Sequence, residues 1–217
     1  MDLPTTKENF MKIALIGATG HVGATILTEA LARGHHVTAI ARNIAALPQH
    51  ALLSSVNTDA GNAKALAGVV AGHDVVISAF NPGHDPEGRV TRAIIDGVKS
   101  SGVPRLLAVG GAGTLLHPAG GRVVDQPDFP AEWKEGSLRT AAFLDQLRGE
   151  TELDWVFLSP AAVLAPGERT GMYRSGKDEL LTDAHGESRI SLQDYALAML
   201  DEAEAPRHHR ERYTVAY

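Results

Sequence analysis

The 217-residue sequence contains no cysteine, which excludes disulfide bonds, thiolate metal sites and cysteine nucleophiles. No apolar stretch reaches the roughly 18 residues that a membrane-spanning helix needs. The formal net charge is −6 and no long basic block is present, so the electrostatic footprint of a nucleic-acid-binding protein is missing. The N-terminus lacks the basic and then apolar order of a secretory signal. We therefore expect a cytoplasmic protein that binds neither nucleic acid nor membrane.

The sequence has ample apolar residues for a core, at 44% hydrophobic and 21% charged. Apolar runs alternate with helical patterns, which is typical of βαβ units and a parallel sheet. Strands are predicted at 12–16, 36–41, 52–57, 74–79, 105–110, 154–159 and 212–217, and helices at 21–33, 62–71, 87–101, 131–149 and 191–204. The predicted fold class is α/β, a doubly wound parallel sheet (Rossmann fold) with a small C-terminal substrate region.

The first strand runs into a glycine-rich turn, "GATGHVG", with glycines at positions 17, 20 and 23. In a dinucleotide-binding turn the first glycine permits a tight turn, and the second lets the backbone approach a pyrophosphate. The third permits close packing of helix on strand. The following helix N-terminus offers free N–H groups to phosphates. The spacing differs from G-x-G-x-x-G, so the signal comes from the strand–turn–helix context; a purely structural glycine turn is the alternative.

The second predicted strand is followed directly by Arg42 and Asn43. A unit that binds NAD usually carries an acid about 20 residues after the glycines, to accept from the ribose 2′-hydroxyl. That acid is absent here, and a guanidinium suits a 2′-phosphate. NADP(H) is therefore favoured over NAD(H), and a solvated arginine at a strand end is the alternative.

Several segments carry a family resemblance: "KIALIGATGHVG", "VTAIARN", "DVVISAF", "LLAVGGAGTL", "WVFLSPAAVLAPGERTGMYR" and "ISLQDYALAMLDEAE". They resemble the atypical short-chain dehydrogenases/reductases, in the group described as NAD(P)H-binding proteins and NADH-flavin reductases. The group is similar to the flavin-reductase type of biliverdin reductase and, more distantly, to nitrogen-metabolite-repressor-like redox sensors. The resemblance covers residues 11–217 and predicts a single NAD(P)-binding Rossmann domain there. Residues 1–10 are expected to be an extension without a structural role, and residues 160–190 a lid or substrate region.

The resemblance also implies cofactor contacts at the carboxyl ends of the strands, where ligands bind in open α/β sheets. The implied pyrophosphate contacts are Gly17, Thr19, Gly20, His21, Val22 and Gly23. Arg42 and Asn43 would lie near the adenosine ribose, Asp59 and Ala60 near the adenine, and Ser78, Ala79 and Phe80 along a cofactor ribose. Gly110, Gly111, Ser159 and Pro160 would complete the cofactor site, the last two near the nicotinamide.

One departure from the family pattern decides the expected reaction. Most short-chain dehydrogenases carry a Tyr-x-x-x-Lys pair for proton transfer, and Gly136 and Thr140 align with those positions. Without that pair, hydride transfer to a flavin or quinone is more plausible than oxidation of an alcohol, which needs a positioned acid or base. The predicted function is an NADPH-dependent reductase with FMN, another flavin or a quinone as a small-molecule acceptor, as a monomer or homodimer. A non-catalytic NADP(H) sensor is the alternative, and an epimerase-like protein ranks last.

Three residues are candidates for a catalytic role: Thr114 and His117 after the fifth strand, and Tyr173 in the C-terminal region. Their alternatives are a turn-stabilising hydroxyl, a solvated loop histidine and a surface residue. Arg169 and Arg174 are candidates for binding an FMN phosphate, with surface ion pairing as the alternative. Trp133 would stack on an isoalloxazine ring or anchor its helix in the core, and core anchoring is favoured.

Overall fold

The computed structural model describes residues 10–217. The strands are β1 (Lys12–Ile16), β2 (His36–Ala41), β3 (Leu53–Asn57), β4 (Val75–Ser78), β5 (Arg105–Val109), β6 (Asp154–Ser159), β7 (Val163–Ala165), β8 (Arg174–Gly176), β9 (Arg189–Ser191) and β10 (Glu211–Ala216). The helices are α1 (His21–Ala32), α2 (Ala63–Val70), α3 (Arg89–Ser101), α4 (Ala131–Arg148) and α5 (Leu192–Glu204). Short 3-10 turns lie at Pro82–His84, Ala112–Thr114 and Val123–Asp125.

The main sheet has eight strands in the order β3-β2-β1-β4-β5-β6-β10-β8. The pairs from β3 to β10 are parallel, and β8 adds an antiparallel edge to β10. The chain leaves β1 toward β2 on one side and returns to β4 on the other, so the strand order reverses at β1. A crevice outside the carboxyl ends of the strands forms at such a switch point. The predicted doubly wound sheet is confirmed.

Successive side chains of each central strand point to opposite faces, and each face carries its own core. Ile13 and Leu15 of β1 pack with α1 and α5, whereas Ala14 and Ile16 pack with the residues of α2, α3 and α4. Because the central strands are covered on both sides, they are almost continuously apolar. The described helices include none that is both long and apolar enough to cross a membrane.

The helix ends follow the local sequence. Gly34 and Gly102, at φ values of 83° and 76°, lie at the carboxyl ends of α1 and α3, where the left-handed conformation favours glycine. The Ser191 hydroxyl caps α5 by accepting from the Asp194 backbone N–H at 2.9 Å. Of the predicted N-terminal extension, residues 1–9 lie outside the described residues. Phe10 lies with its ring against Gly34, where an added Cβ would approach a ring carbon to 2.5 Å.

The C-terminal region is more ordered than its Gly- and Pro-rich sequence indicates. β7 pairs in parallel with β9, and β8 completes the edge of the main sheet. Leu116 forms isolated bridges with Arg122 and Glu179, which fasten this region to the loop after β5. The segment 160–190 therefore approaches the carboxyl ends of β5 and β6.

Candidate active site

A cavity of about 580 Å³ opens at the carboxyl ends of β1, β2 and β4. Its walls come from the glycine-rich turn, the ends of β2 and β3, and the loop after β4. The lining residues are Ile16, Gly17, Thr19, Gly20, His21, Val22, Ile40, Ala41, Arg42, Thr58, Asp59, Ala60, Ala79, Phe80, Asn81, Pro82, His84, Val90, Val109, Gly110 and Thr140. We call this space the first cavity.

The glycine-rich turn leaves no room for side chains at two of its glycines. Gly17 has a φ of 78°, and an added Cβ would lie 2.8 Å from the Ala79 carbonyl oxygen. A Cβ on Gly23 would lie 2.1 Å from the Gly17 carbonyl oxygen. The first glycine therefore permits the turn and the third permits close packing of α1, while the N-terminus of α1 is left facing the cavity.

Arg42 lies at the rim of the first cavity with its guanidinium free of hydrogen bonds and ion pairs to any residue between 10 and 217. Its backbone carbonyl is held by the Asn57 side chain at 2.9 Å. Asp59 is the one carboxylate among the lining residues, and it accepts from the Gly61 N–H at 2.9 Å. The rim of the first cavity therefore offers an unpaired cation to an anionic group.

Eleven of the predicted cofactor contacts line the first cavity: Gly17, Thr19, Gly20, His21, Val22, Arg42, Asp59, Ala60, Ala79, Phe80 and Gly110. Gly23 is buried behind the turn, and the Asn43 side chain accepts from the Ala45 N–H. Ser78 is fully buried and its hydroxyl has no partner among the described residues. Asn81, Pro82 and His84 are among the lining residues that the sequence did not indicate. Asn81 carries a usable signal, because Asn followed by Pro marks a turn, and here its side chain accepts from the Gly83 N–H.

A second cavity of about 460 Å³ lies beyond the ends of β5 and β6. Its lining residues are Gly111, Ala112, Gly113, Thr114, His117, Val123, Gln126, Asp128, Phe129, Pro130, Trp133, Ser137, Thr140, Pro160, Ala161, Ala162, Leu164 and Leu180. Thr140 lines both cavities. Three predicted cofactor contacts lie at the second cavity and not at the first. Gly111 and Pro160 line the second cavity, and Ser159 is buried beneath its wall.

Two of the three predicted catalytic residues line the second cavity. The Thr114 hydroxyl lies 2.8 Å from the Gly111 carbonyl oxygen and 3.2 Å from the Ser159 hydroxyl, so it is held in place at 4% exposure. The His117 ring accepts from the Ala119 N–H at its Nδ1 atom, at 3.1 Å, which leaves Nε2 for another partner. Both side chains therefore present polar atoms at the wall of this cavity.

Tyr173 lies outside both cavities, and this corrects its predicted catalytic placement. Its hydroxyl donates to Asp201 on α5 at 2.7 Å, and burial together with that carboxylate raises the pKa of the phenol well above its usual value. Arg169 donates twice to Glu29 on α1, at 2.9 and 2.7 Å. Arg174 donates to the carbonyls of Thr182 and Tyr217. These side chains fasten the C-terminal region to the body of the protein.

Trp133 is 63% exposed, so its predicted role as a core anchor is wrong. It lies in the first turn of α4, at the wall of the second cavity beside Phe129 and Pro130. Its hydrophobic surface is therefore open to a molecule in that cavity. Between residues 10 and 217, no cluster of three histidine or acidic side chains is placed to hold a metal ion.

The parallel sheet, the glycine turn at its switch point and the helix N-terminus that faces the first cavity define a Rossmann-type dinucleotide-binding protein. Residues 17–203 match the family model for NAD(P)H-binding proteins. The chain belongs to this NAD(P)H-binding family.

Relatives are similar to this protein over almost the whole length of the chain. The uncharacterized protein YwnB of Bacillus subtilis (strain 168) is 41% identical over 211 residues, which cover 94% of this chain and 98% of YwnB. A solved structure from Bacteroides thetaiotaomicron, described as a proposed epimerase, is 46% identical with a TM-score of 0.91, covering 96% of this chain and 97% of its own. A proposed NADH-flavin reductase from Streptococcus pneumoniae is 34% identical with a TM-score of 0.84, covering 95% of this chain and 99% of its own.

Proposed function

We propose that this protein is an NADPH-dependent reductase that passes hydride to a flavin or quinone. The observation that carries the proposal is the pair of cavities that meet at Thr140. The first has the glycine turn and free cation that suit a dinucleotide phosphate, and the second has polar and aromatic walls that suit a planar acceptor. Residues 160–190 supply part of the acceptor wall through Pro160, Ala161, Ala162, Leu164 and Leu180.

NADPH fits the residues of the first cavity. The N-terminus of α1 would hold the pyrophosphate, and Arg42 would pair with the 2′-phosphate. When bound, the dinucleotide supplies a hydride from its nicotinamide ring. The protein contributes binding and orientation, since the two cavities share Thr140 and adjoin at the end of β5.

The side chains around the two cavities favour an acceptor whose reduction needs no tyrosine as a proton donor. All four tyrosines are placed elsewhere: Tyr173 on Asp201, Tyr195 on the Leu158 carbonyl, Tyr213 on the Ala198 carbonyl and Tyr217 on Asp194. Neither cavity is lined by a described tyrosine or lysine. We place Gly136 and Thr140 at the Tyr and Lys positions of the family pattern, and the cavity linings support this. A flavin or quinone is intrinsically reactive to hydride and takes its proton from water or from His117.

The second cavity supports acceptor binding through named side chains. The Thr114 hydroxyl donates to the Gly111 carbonyl, so its oxygen would accept from a donor group of the acceptor or of the nicotinamide ribose, and His117 Nε2 would contact an acceptor carbonyl. Trp133 would cover one ring face by stacking. The relative described as an NADH-flavin reductase is consistent with this chemistry. An epimerase, as the Bacteroides relative is described, needs groups that remove and return protons, and the missing tyrosine–lysine pair disfavours it.

The test is oxidation of NADPH by the purified protein with riboflavin or a small benzoquinone, against a blank without protein. We expect saturable turnover in both substrates. Absence of turnover above the blank, in protein that still binds NADPH, would contradict the reductase and favour the NADP(H) sensor. Location in the cytoplasm and the choice between monomer and homodimer stay predictions.

Arg42→Ala is expected to weaken NADPH far more than NADH, because only NADPH carries the 2′-phosphate. The loss should be about 1–3 kcal/mol, as for a charge-assisted hydrogen bond. Dissociation constants for both cofactors, measured by calorimetry, give the answer. Arg148→Ala, which removes a surface cation outside both cavities, is the matched control. An equal loss of affinity for NADPH and NADH would contradict the proposed contact between Arg42 and the 2′-phosphate.

Trp133→Ala is expected to raise the KM for the acceptor by about five- to tenfold, the value of one stacking contact. The KM for NADPH and the melting temperature should stay close to those of the wild type, because the indole is exposed. Leu138→Ala truncates another exposed residue of α4 outside the cavity and serves as the control. Unchanged acceptor kinetics would show that the indole does not contact the acceptor.

A further inference from the structure

The described wall of the second cavity contains no permanently charged cation. Among the residues of 10–217 that line it, none is arginine or lysine, and one carboxylate, Asp128, is exposed at the wall. The remaining surface comes from Phe129, Trp133, prolines and aliphatic side chains, together with threonine, serine, glutamine and histidine. The electrostatics at this site disfavour an anion, since phosphate is normally recognised by arginine or lysine, and the N-terminal turn of α4 at the wall already carries the carboxylate of Glu132.

The arginines close to this cavity are already bound to other groups. Arg122, on the loop that leads into the cavity wall, pairs with Asp125 at 2.7 Å. Arg212 is 7% exposed and donates to Asp178 and to the Thr114 carbonyl from behind the wall. Redirecting either guanidinium toward a ligand would break an existing ion pair, and for Arg212 that pair lies in a largely buried position.

The two arginines that the sequence suggests for binding an FMN phosphate also have other partners. Arg169 forms a two-pronged ion pair with Glu29, and this pair lowers the pKa of the Glu29 carboxyl. Arg174 binds backbone carbonyls at the sheet edge. Neither residue lines the second cavity.

We propose that the acceptor is an uncharged planar ring without a phosphate or carboxylate, so that riboflavin and neutral quinones are used in preference to FMN. This proposal rests on the reductase function proposed above and narrows its substrate class. Riboflavin and FMN share the isoalloxazine ring that stacks and accepts hydride. They differ by a phosphate of about −1.5 to −2 charges at neutral pH, which Asp128 and the overall charge of −6 both repel.

The first test compares kcat/KM for riboflavin and FMN at low ionic strength, with NADPH saturating. We expect riboflavin to be favoured about fivefold or more, and the ratio to shrink as salt screens the repulsion. Quenching of riboflavin and FMN fluorescence by the protein, with NADP⁺ present, measures binding without turnover and should show the same order. Equal values, or a preference for FMN in both measurements, would overturn the proposal while leaving the reductase function intact.

The second test removes the carboxylate at the wall. Asp128→Asn should raise kcat/KM for FMN about twofold or more with little change for riboflavin, because only FMN carries the repelled phosphate. Glu152→Gln is the matched control, since Glu152 is an exposed carboxylate that lines neither cavity. Equal effects of both substitutions on FMN would assign the preference to overall charge and overturn the role of Asp128. No turnover with any acceptor would instead contradict the reductase function, and the fluorescence measurement would still test the binding preference.

Discussion

Gly23→Ala is expected to remove NADPH binding and to lower the free energy of unfolding by about 3 kcal/mol, the upper range for overpacking. The added Cβ would lie 2.1 Å from the Gly17 carbonyl oxygen and 2.9 Å from the Gly17 carbonyl carbon. Both are backbone atoms, so relief requires α1 to move away from the turn that faces the first cavity. Urea unfolding measures the stability loss, and titration with NADPH measures the binding loss.

Gly68→Ala is the matched control for this glycine. Gly68 lies within α2, and an added Cβ there meets no heavy atom within 4 Å. Since alanine is the better helix former, the variant should gain up to about 1 kcal/mol in the free energy of unfolding and keep its NADPH affinity. Normal NADPH affinity in Gly23→Ala would contradict the account of the turn, whatever the control shows.

The second large effect is expected at Glu202, at the opposite end of the sheet from the cavities. Glu202 is 3% exposed and accepts from Arg105 at 2.5 Å and from the His208 and Arg207 backbone N–H groups, both at 3.0 Å. Removing it leaves the largely buried Arg105 guanidinium with Asp154 as its remaining carboxylate partner. Glu202→Ala should lower the free energy of unfolding by about 3–5 kcal/mol.

Two further variants make this prediction specific. Glu202→Gln keeps the shape and part of the hydrogen bonding, so its loss should be smaller than that of the alanine variant. Glu152→Ala removes an exposed carboxylate 3.9 Å from Lys99, and its effect should stay within about 0.5 kcal/mol. Urea unfolding of all three, with catalytic assays under native conditions, separates stability from function. A loss at Glu202 no larger than that at Glu152 would contradict the buried ion pair.

The central sheet could be predicted because its signals are local. β1, β2 and β6 lie at their predicted bounds, and β3 begins one residue later, at Leu53. Strands covered on both faces are apolar at nearly every position, and the intervening helices begin and end at caps and glycines that the sequence displays. The glycine-rich turn could be predicted for the same reason, because its glycines lie within one continuous stretch of sequence.

The C-terminal region could not be predicted in the same way. β7, β8 and β9 have three residues each, too few to show a period, and they exist because of partners distant in sequence. Arg169 pairs with Glu29, which is 140 residues away in sequence. The residues around Arg169 therefore could not show whether it forms an ion pair or binds a phosphate. His208 stacks on Tyr213 and contacts Glu202 at 2.8 Å, contacts that no local pattern indicates.

The walls of the second cavity show the same limit. The loop at 117–130 reads only as a loop in the sequence, yet Val123, Gln126 and Asp128 line the cavity. Trp133 belongs to the apolar pattern of a helix. Such a pattern marks an apolar face but does not show whether that face packs in the core or lines an open cavity. Most of the residues named from the sequence for the cofactor therefore line the first cavity, whereas the walls of the second could be predicted only in part.

The most direct test of the central claim follows one hydrogen from cofactor to acceptor. NADPH carrying deuterium at one or the other hydrogen of nicotinamide carbon C4 would be mixed, without oxygen, with the protein and 5-deazariboflavin, whose ring carbon retains the transferred hydrogen. We expect deuterium in the reduced acceptor from one of the two labelled cofactors only, because the two cavities present a single face of the nicotinamide ring to the acceptor. No protein-dependent deuterium transfer from either labelled cofactor, in protein shown to bind both molecules, would contradict it.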